Sequence, residues 1–392
     1  MSEMRYNEIA QKKAVKKRGY IKIAKVLNIM NGKDFFLQRN YECARKMNKI
    51  ILEDLPDFTR EFFIGIENAT TPLTRLNYAY DLRVFFNFMV KEIPQFAWRE
   101  IKSISLFDIQ ALSTTDIEYY LYHLSHYTPP SFDDGEIVSN TERGKSRKLS
   151  SLRAFLKYFV RKGKLSHSVA ANVATPKIRE KEIVRLESAE VSELLNLVEY
   201  GEIGSEHQNT YNQAIKLRDL AIFTLFLGTG IRISELVGIN IEDLDFKNNA
   251  FVVTRKGGNR TKLYFSDEVR LTLLAYNEKR LSDEKIPPSE RAFFTSLQNR
   301  RIGARAIENI VKKYSRHVAP LKRITPHKLR STFGTELYQN TSDIYLVADV
   351  LGHKDVNTTK KHYAALSDES RRKASVKVVL RDDHDKNDKS EE

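Results

Sequence analysis

Residues 325–330 read Thr-Pro-His-Lys-Leu-Arg, and residues 351–363 read Leu-Gly-His-Lys-Asp-Val-Asn-Thr-Thr-Lys-Lys-His-Tyr. In the first stretch Pro326 suits the opening turn of a helix, where a missing N–H is no loss. His327 and Arg330 then stand at i and i+3 and project from one face at the positive end of that helix. A guanidinium and an imidazole offered together can grip a phosphate and exchange a proton with it, or simply cap the helix toward solvent. In the second stretch His353 and His362 lack the carboxylate or cysteine partners, and the H-x-x-x-H spacing, of a zinc site, so no metal is expected. Tyr363 closes the stretch, and as one of 18 tyrosines it is by itself an ordinary packing residue.

Working toward the N-terminus, residues 228–236 read Gly-Thr-Gly-Ile-Arg-Ile-Ser-Glu-Leu and follow the apolar run 220–227. Arg232 and Glu235 at helical spacing read as a surface ion pair, worth a few tenths of a kcal/mol. Two β-prone runs, 250–254 and 261–265, flank Gly257-Gly258-Asn259 and predict a hairpin with Lys256 at its tip, where a lysine is ordinarily just solvated. The rest of this half reads as helical, beginning at the cap signal Leu186-Glu187-Ser188. Residues 174–185 are proline-interrupted, charged and poor in apolar side chains, as a linker is.

Before that linker, Tyr78, Leu82, Phe85, Phe86 and Met89 form one apolar helix face within 74–89. A further helix over about 145–161 turns Leu149, Leu152, Phe155, Leu156, Phe159 and Val160 to the core and carries Arg147, Lys148, Arg153 and Lys157 on other faces. Residues 127–144 read as a long polar loop. The expected domains are a basic helical extension over 1–50, a helical domain over 51–173, a linker over 174–185, a second domain over 186–366, and a terminal helix with polar tail over 367–392.

The chain has 392 residues, of which 41% are hydrophobic and 30% charged, enough apolar material for real cores and too much for wholesale disorder. Its single cysteine, Cys43, removes any disulfide framework or cysteine zinc site. No apolar run has the length of a bilayer span, and the first residues lack a signal-peptide core, so the expectation is an intracellular protein with no membrane partner. The formal net charge is +14, with +9 of it in residues 1–50, which favours a polyanionic partner and nucleic acid ahead of an anionic membrane.

Taken in order, Arg232, Lys256, His327-x-x-Arg330, Leu351-Gly352-His353 and Tyr363 resemble the signature of the tyrosine recombinase, or phage-integrase-like, family. The resemblance spans about residues 54–366 and is nearest to the stand-alone Xer recombinases of the XerS type, to judge by the run of helices and the extended segment between about 200 and 217. Each motif is weak singly, whereas the ordered set is specific. It implies a mainly α fold with a small β-hairpin or sheet in the C-terminal domain. The two domains, a SAM-like core-binding domain and a catalytic domain, would clamp double-stranded DNA.

The roles follow from the same resemblance. Tyr363 would attack the scissile phosphodiester and form a 3′-phosphotyrosyl bond, with strand exchange through a Holliday junction. Arg232 and Arg330 would brace the non-bridging oxygens, and His353 would donate to the same phosphate. Lys256 would protonate the leaving 5′-oxygen and His327 would help accept the tyrosine proton. Arg147, Lys148, Arg153 and Lys157 are the expected DNA contacts. A phenol with its usual pKa near 10 is a poor nucleophile at neutral pH, and surrounding cations lower that value while stabilising the transition state. The covalent intermediate stores the bond energy, so neither ATP, a metal nor another cofactor is implied.

Ser331 stands where the family often has histidine, and ten residues separate His353 from Tyr363, within the family's range. Tyr345 reads as a packing residue, and Tyr338 lies too near Arg330 on its helix to attack the phosphate held there. The amphipathic segment 367–380 would dock on a neighbouring protomer and build a ring of four. The implied setting is cytoplasmic and nucleoid-associated. Chromosome-dimer resolution is the leading role, and integration or excision of a mobile element uses the same residues. A catalytically dead DNA-binding protein and a type IB topoisomerase are the readings from other classes.

Overall fold

The computed structural model describes residues 35–129, 137–178, 184–201, 203, 206–255, 258–352 and 355–356, with the backbone alone at 206–211. The chain divides into two compact units between Lys181 and Glu182, inside the segment expected to be a linker.

The first unit is helical. Its main elements are α1 (Phe35–Asp54), α2 (Thr59–Gly65), α3 (Pro72–Glu92), α4 (Leu106–Gln110), α5 (Thr114–His123) and α6 (Glu142–Arg161). Thr71 caps α3 by accepting from the Thr74 N–H, and Pro72 occupies the first turn. Ser105 and Ser113 open α4 and α5 with capping boxes to Asp108 and Asp116. Helices α1, α2, α3 and α6 converge on one core in which Phe62, Phe85, Phe86, Phe88, Phe155 and Phe159 are fully buried. The rings meet mostly edge to face, as between Phe62 and Phe155 at 5.2 Å.

One expected boundary is corrected here. Helix α1 runs through residue 50, and its Cys43, Met47, Ile50 and Ile51 are buried in the same core. Residues 35–50 therefore belong to the first domain, because their apolar stripe is covered by α3. The remainder of the basic segment, 1–34, lies outside the described residues.

The second unit contains α7 (Ser188–Tyr200), α8 (Glu206–Thr229), α9 (Ile233–Gly238), α10 (Asp267–Leu281), α11 (Ala304–Val318), α12 (Pro326–Thr341) and α13 (Ile344–Leu351). Helix α8 is its axis and packs against α7, α10 and α12, burying Phe223 and Phe226. The extended segment after residue 200 is thus mainly the first turns of α8.

A three-stranded antiparallel sheet lies beside these helices, in the order β1 (Leu244–Asp245), β2 (Ala250–Thr254), β3 (Arg260–Tyr264). The expected hairpin forms with Val253 opposite Thr261 and Thr254 opposite Arg260. The third strand was not legible in the sequence, since two residues are too short for an alternating pattern. Among the described residues, no helix is long and apolar enough to cross a membrane.

Candidate active site

Pro326 sits at the start of α12, and the helix places His327 on the surface and Arg330 in the interior, 5% exposed. The Arg330 guanidinium donates to the Gly230 carbonyl with one terminal nitrogen and to the Leu351 carbonyl with the other. Gly230 can present its carbonyl this way because it adopts φ +60°, and a Cβ there would overlap Phe333 and Leu351. The Gly-x-Gly break after α8 therefore has a steric cause.

Arg232 enters from the start of α9. Its backbone N–H donates to Glu235 Oε2 at 3.0 Å, its Nη1 to Glu235 Oε1 at 2.8 Å, and its Nη2 to the Gly352 carbonyl at 3.0 Å. Glu235 is 3% exposed, so the pair is not the surface ion pair that the spacing suggested. A buried carboxylate that accepts two bonds from one residue, one from its backbone and one from its side chain, fixes both the helix start and the guanidinium. The Arg232 side chain keeps about a third of its surface open, at 35%.

A third arginine joins them. Arg255, at the end of β2, donates from Nη2 to the Val350 carbonyl at 3.0 Å. Arg255, Arg330 and Arg232 thus serve three consecutive carbonyls, Val350, Leu351 and Gly352, at the end of α13. Those carbonyls have no partner within the helix and carry the negative end of its dipole, so cations gather there. Gly352 is left-handed at φ +60°, and a Cβ on it would overlap the Arg255 guanidinium. The Leu-Gly step before His353 is therefore needed both for the turn and for the close approach.

The structure brings together Arg232 and Arg330 of the six expected catalytic residues and places His327 one helical turn from Arg330. Lys256, His353 and Tyr363 lie outside the described residues, as does the expected terminal helix over 367–380. Their immediate neighbours Arg255 and Gly352 are in the cluster just described. Ser331 is buried and donates to the His327 carbonyl at 3.1 Å, an in-helix bond. Tyr345 is corrected, for it is 72% exposed rather than packed, because α13 turns Val347 and Leu351 to the core instead.

The four expected DNA contacts on α6 divide. Lys148 is buried, with Nζ 3.2 Å from Asn140 Oδ1 and 3.9 Å from the buried Asp81 carboxylate. Burial pushes its pKa down, partly offset by Asp81. Arg147 also pairs with Asp81, and Arg153 is spent on the carbonyls of Ala170 and Val173 and on Thr175 Oγ1. Of the four, Arg147 and Lys157 are exposed, Arg147 keeping half of its side chain open beside Asp81. The pairing of Arg147 and Lys148 has a physical reason: a buried aspartate on α3 recruits cations from the facing helix.

Sequence reasoning missed Glu235 as a buried anchor and Arg255 altogether. The Arg-x-x-Glu spacing was visible for the first, but its burial was not. Nothing in the sequence distinguished Arg255 from other strand-end arginines. Among the described residues, no group of three or more His, Cys, Asp or Glu side chains could hold a metal ion.

Residues 184–370 match the model of the phage integrase family. A tyrosine recombinase XerC of Caldanaerobacter subterraneus subsp. tengcongensis is 31% identical over 337 residues, covering 83% of this chain and 87% of that protein. A tyrosine recombinase XerS of Streptococcus uberis is 30% identical over 339 residues, 81% of this chain and 94% of the relative. Among solved structures, the XerH site-specific recombinase bound to its palindromic difH substrate, in a post-cleavage complex, shares the fold. That match has a TM-score of 0.58 at 16% identity, over 85% of this chain and 94% of that one.

Proposed function

The chain belongs to the phage integrase family of tyrosine recombinases, and on that premise we propose how its residues divide the chemistry of site-specific DNA strand exchange. The observation that carries the assignment is the convergence of Arg232 and Arg330 on adjacent carbonyls immediately before His353. Two guanidiniums held at a helix end make a fixed anion cradle, and fixed charges stabilise a transition state without reorganising.

In the proposed step the Tyr363 phenol oxygen attacks phosphorus and its proton passes to His327. The bond from phosphorus to the 5′-oxygen breaks, and that oxygen takes a proton from Lys256. Arg232, Arg330 and His353 hold the non-bridging oxygens, which gain charge as the phosphorane forms. The product is a 3′-phosphotyrosyl bond and a free 5′-hydroxyl. Attack by a 5′-hydroxyl from the partner strand reverses the step, regenerates the phenol and leaves an exchanged strand. Phosphodiester energy is conserved, so rejoining draws on no nucleotide.

Double-stranded DNA is the substrate, and four protomers linked through segment 367–380 would form the exchanging assembly at the nucleoid. The biological role best matched to Xer relatives is resolution of chromosome dimers, ahead of integration of a mobile element.

Tyr363→Phe tests the chemistry. Incubated with a nicked duplex that traps cleaved strands, the variant should form no covalent adduct while binding the site as tightly as the parent. An adduct in that variant would overturn the assignment. Deletion of the gene tests the role: unsegregated chromosomes in dividing cells support dimer resolution, and normal segregation with loss of element mobility supports the alternative.

A further inference from the structure

Arg255 is the one member of the three-arginine cluster to which the expected chemistry gives no role. Its backbone closes the hairpin turn, for its N–H donates to the Asn259 carbonyl at 2.8 Å and its carbonyl accepts from the Gly258 N–H at 3.0 Å. Its side chain leaves the hairpin and donates to the Val350 carbonyl at 3.0 Å, lying flat against Gly352. One end of the residue is thus fixed in the turn and the other at the end of α13. The next residue in the chain on one side is Lys256, and the next after Gly352 on the other is His353.

An arginine at a helix C-terminus can be a simple cap. Two features argue for more. Among the described residues, the Nε of Arg255 is buried with no hydrogen-bond partner, an unfavourable state that a surface lysine or arginine capping the helix would avoid. The approach to Val350 also obliges residue 352 to be glycine, so the contact constrains the backbone beside the phosphate cradle.

We propose that Arg255 is a positioning residue that ties the β2–β3 turn to the end of α13 and so sets where Lys256 meets the scissile phosphate. The inference rests on the reading of Lys256 as the proton donor to the 5′-oxygen. A mobile turn would leave that ammonium off line while Arg232 and Arg330 still hold the phosphate.

The test compares two versions of one duplex, selected by the full-length protein from a randomised pool and mapped for its cleavage position. One version carries the natural 5′-oxygen at the scissile bond and the other a 5′-sulfur, which departs as a thiolate and needs no proton. Covalent adduct formation is followed in a single turnover for the parent, Arg255→Gln, Arg255→Lys and Lys256→Ala. On the oxygen substrate Arg255→Gln should be slowed about 100-fold, the size of a small misplacement of a reacting group, with site affinity retained. On the sulfur substrate it should recover to near the parent's rate, as Lys256→Ala should, and Arg255→Lys should fall between.

A parental rate for Arg255→Gln on oxygen overturns the proposal, as does equal slowing on both substrates while Lys256→Ala is rescued. Should Arg255→Gln not fold, Arg255→Lys decides by the same oxygen-to-sulfur ratio. If sulfur fails to rescue Lys256→Ala, the proton-donor reading itself falls and takes this inference with it.

Discussion

Arg232 and Arg330 meet on neighbouring carbonyls: Nη2 of the first donates to Gly352 and a terminal nitrogen of the second to Leu351. One arginine comes from the start of α9 and the other from the second turn of α12, so the end of α13 is the point where the two are set against each other. The relationship makes α13 a structural part of the proposed anion cradle, with consequences for substitutions that touch no substrate.

Arg330→Ala should lower covalent adduct formation about 10²–10³-fold, the range for removing one fixed donor from a developing oxyanion. Arg330→Lys should recover little, because a single ammonium cannot span the Gly230 and Leu351 carbonyls as the forked guanidinium does. Trapping on a nicked duplex measures both.

Glu235→Gln should slow cleavage about tenfold and destabilise the second unit by about 1–3 kcal/mol, since a buried acceptor of two bonds loses its charge. Site affinity, set by many phosphate contacts, should change little. Paired adduct kinetics and binding isotherms check the split.

Gly352→Ala and Gly163→Ala make a contrast. Both glycines are left-handed, at φ +60° and φ +70°, but a Cβ at 163 meets nothing within 4 Å while one at 352 overlaps Arg255. Gly163→Ala should lose only the conformational term, about 1–2 kcal/mol. Gly352→Ala should lose more than that and should also slow cleavage. Calorimetric unfolding with adduct assays distinguishes them.

Lys157→Ala should reduce the salt dependence of DNA binding by about 0.9 in the slope of log K against log salt, the value for one phosphate contact. Lys148→Met should leave that slope unchanged, because Lys148 is buried beside Asp81 and Asn140. Binding titrations over a range of salt concentrations report both slopes.

Asp108 gives an acid-sensitive element in the first unit. Its hydrogen bonds from Arg99, at 2.7 and 3.1 Å, and from the Ser105 N–H at 2.8 Å hold its carboxyl down at about 2. A carboxyl depressed in the folded state stabilises it fully above the unfolded value of about 4 and loses that contribution as pH falls toward the folded value. The stability difference between the parent and Asp108→Asn should therefore be largest at neutral pH and close between about pH 4 and pH 2. Urea unfolding across that range measures it.

The amino-acid sequence alone determined the helical periodicities, the hairpin and the order of the chemistry-bearing residues. These are local properties: the apolar face of 74–89, the Pro326 helix start and the turn at Gly257-Gly258-Asn259 each follow from neighbours a few residues apart. Tertiary structure decided which charges face inward. Arg232, Lys148 and Arg153 look like free surface charges until Asp81, Asn140 and the carbonyls of Ala170, Val173 and Gly352 are brought to them from other segments. Burial of a polar group depends on partners supplied by other helices, and no local pattern encodes where those partners will lie. For the same reason, the role of α13 as the common anchor of Arg232, Arg255 and Arg330 exists only once the second unit is folded.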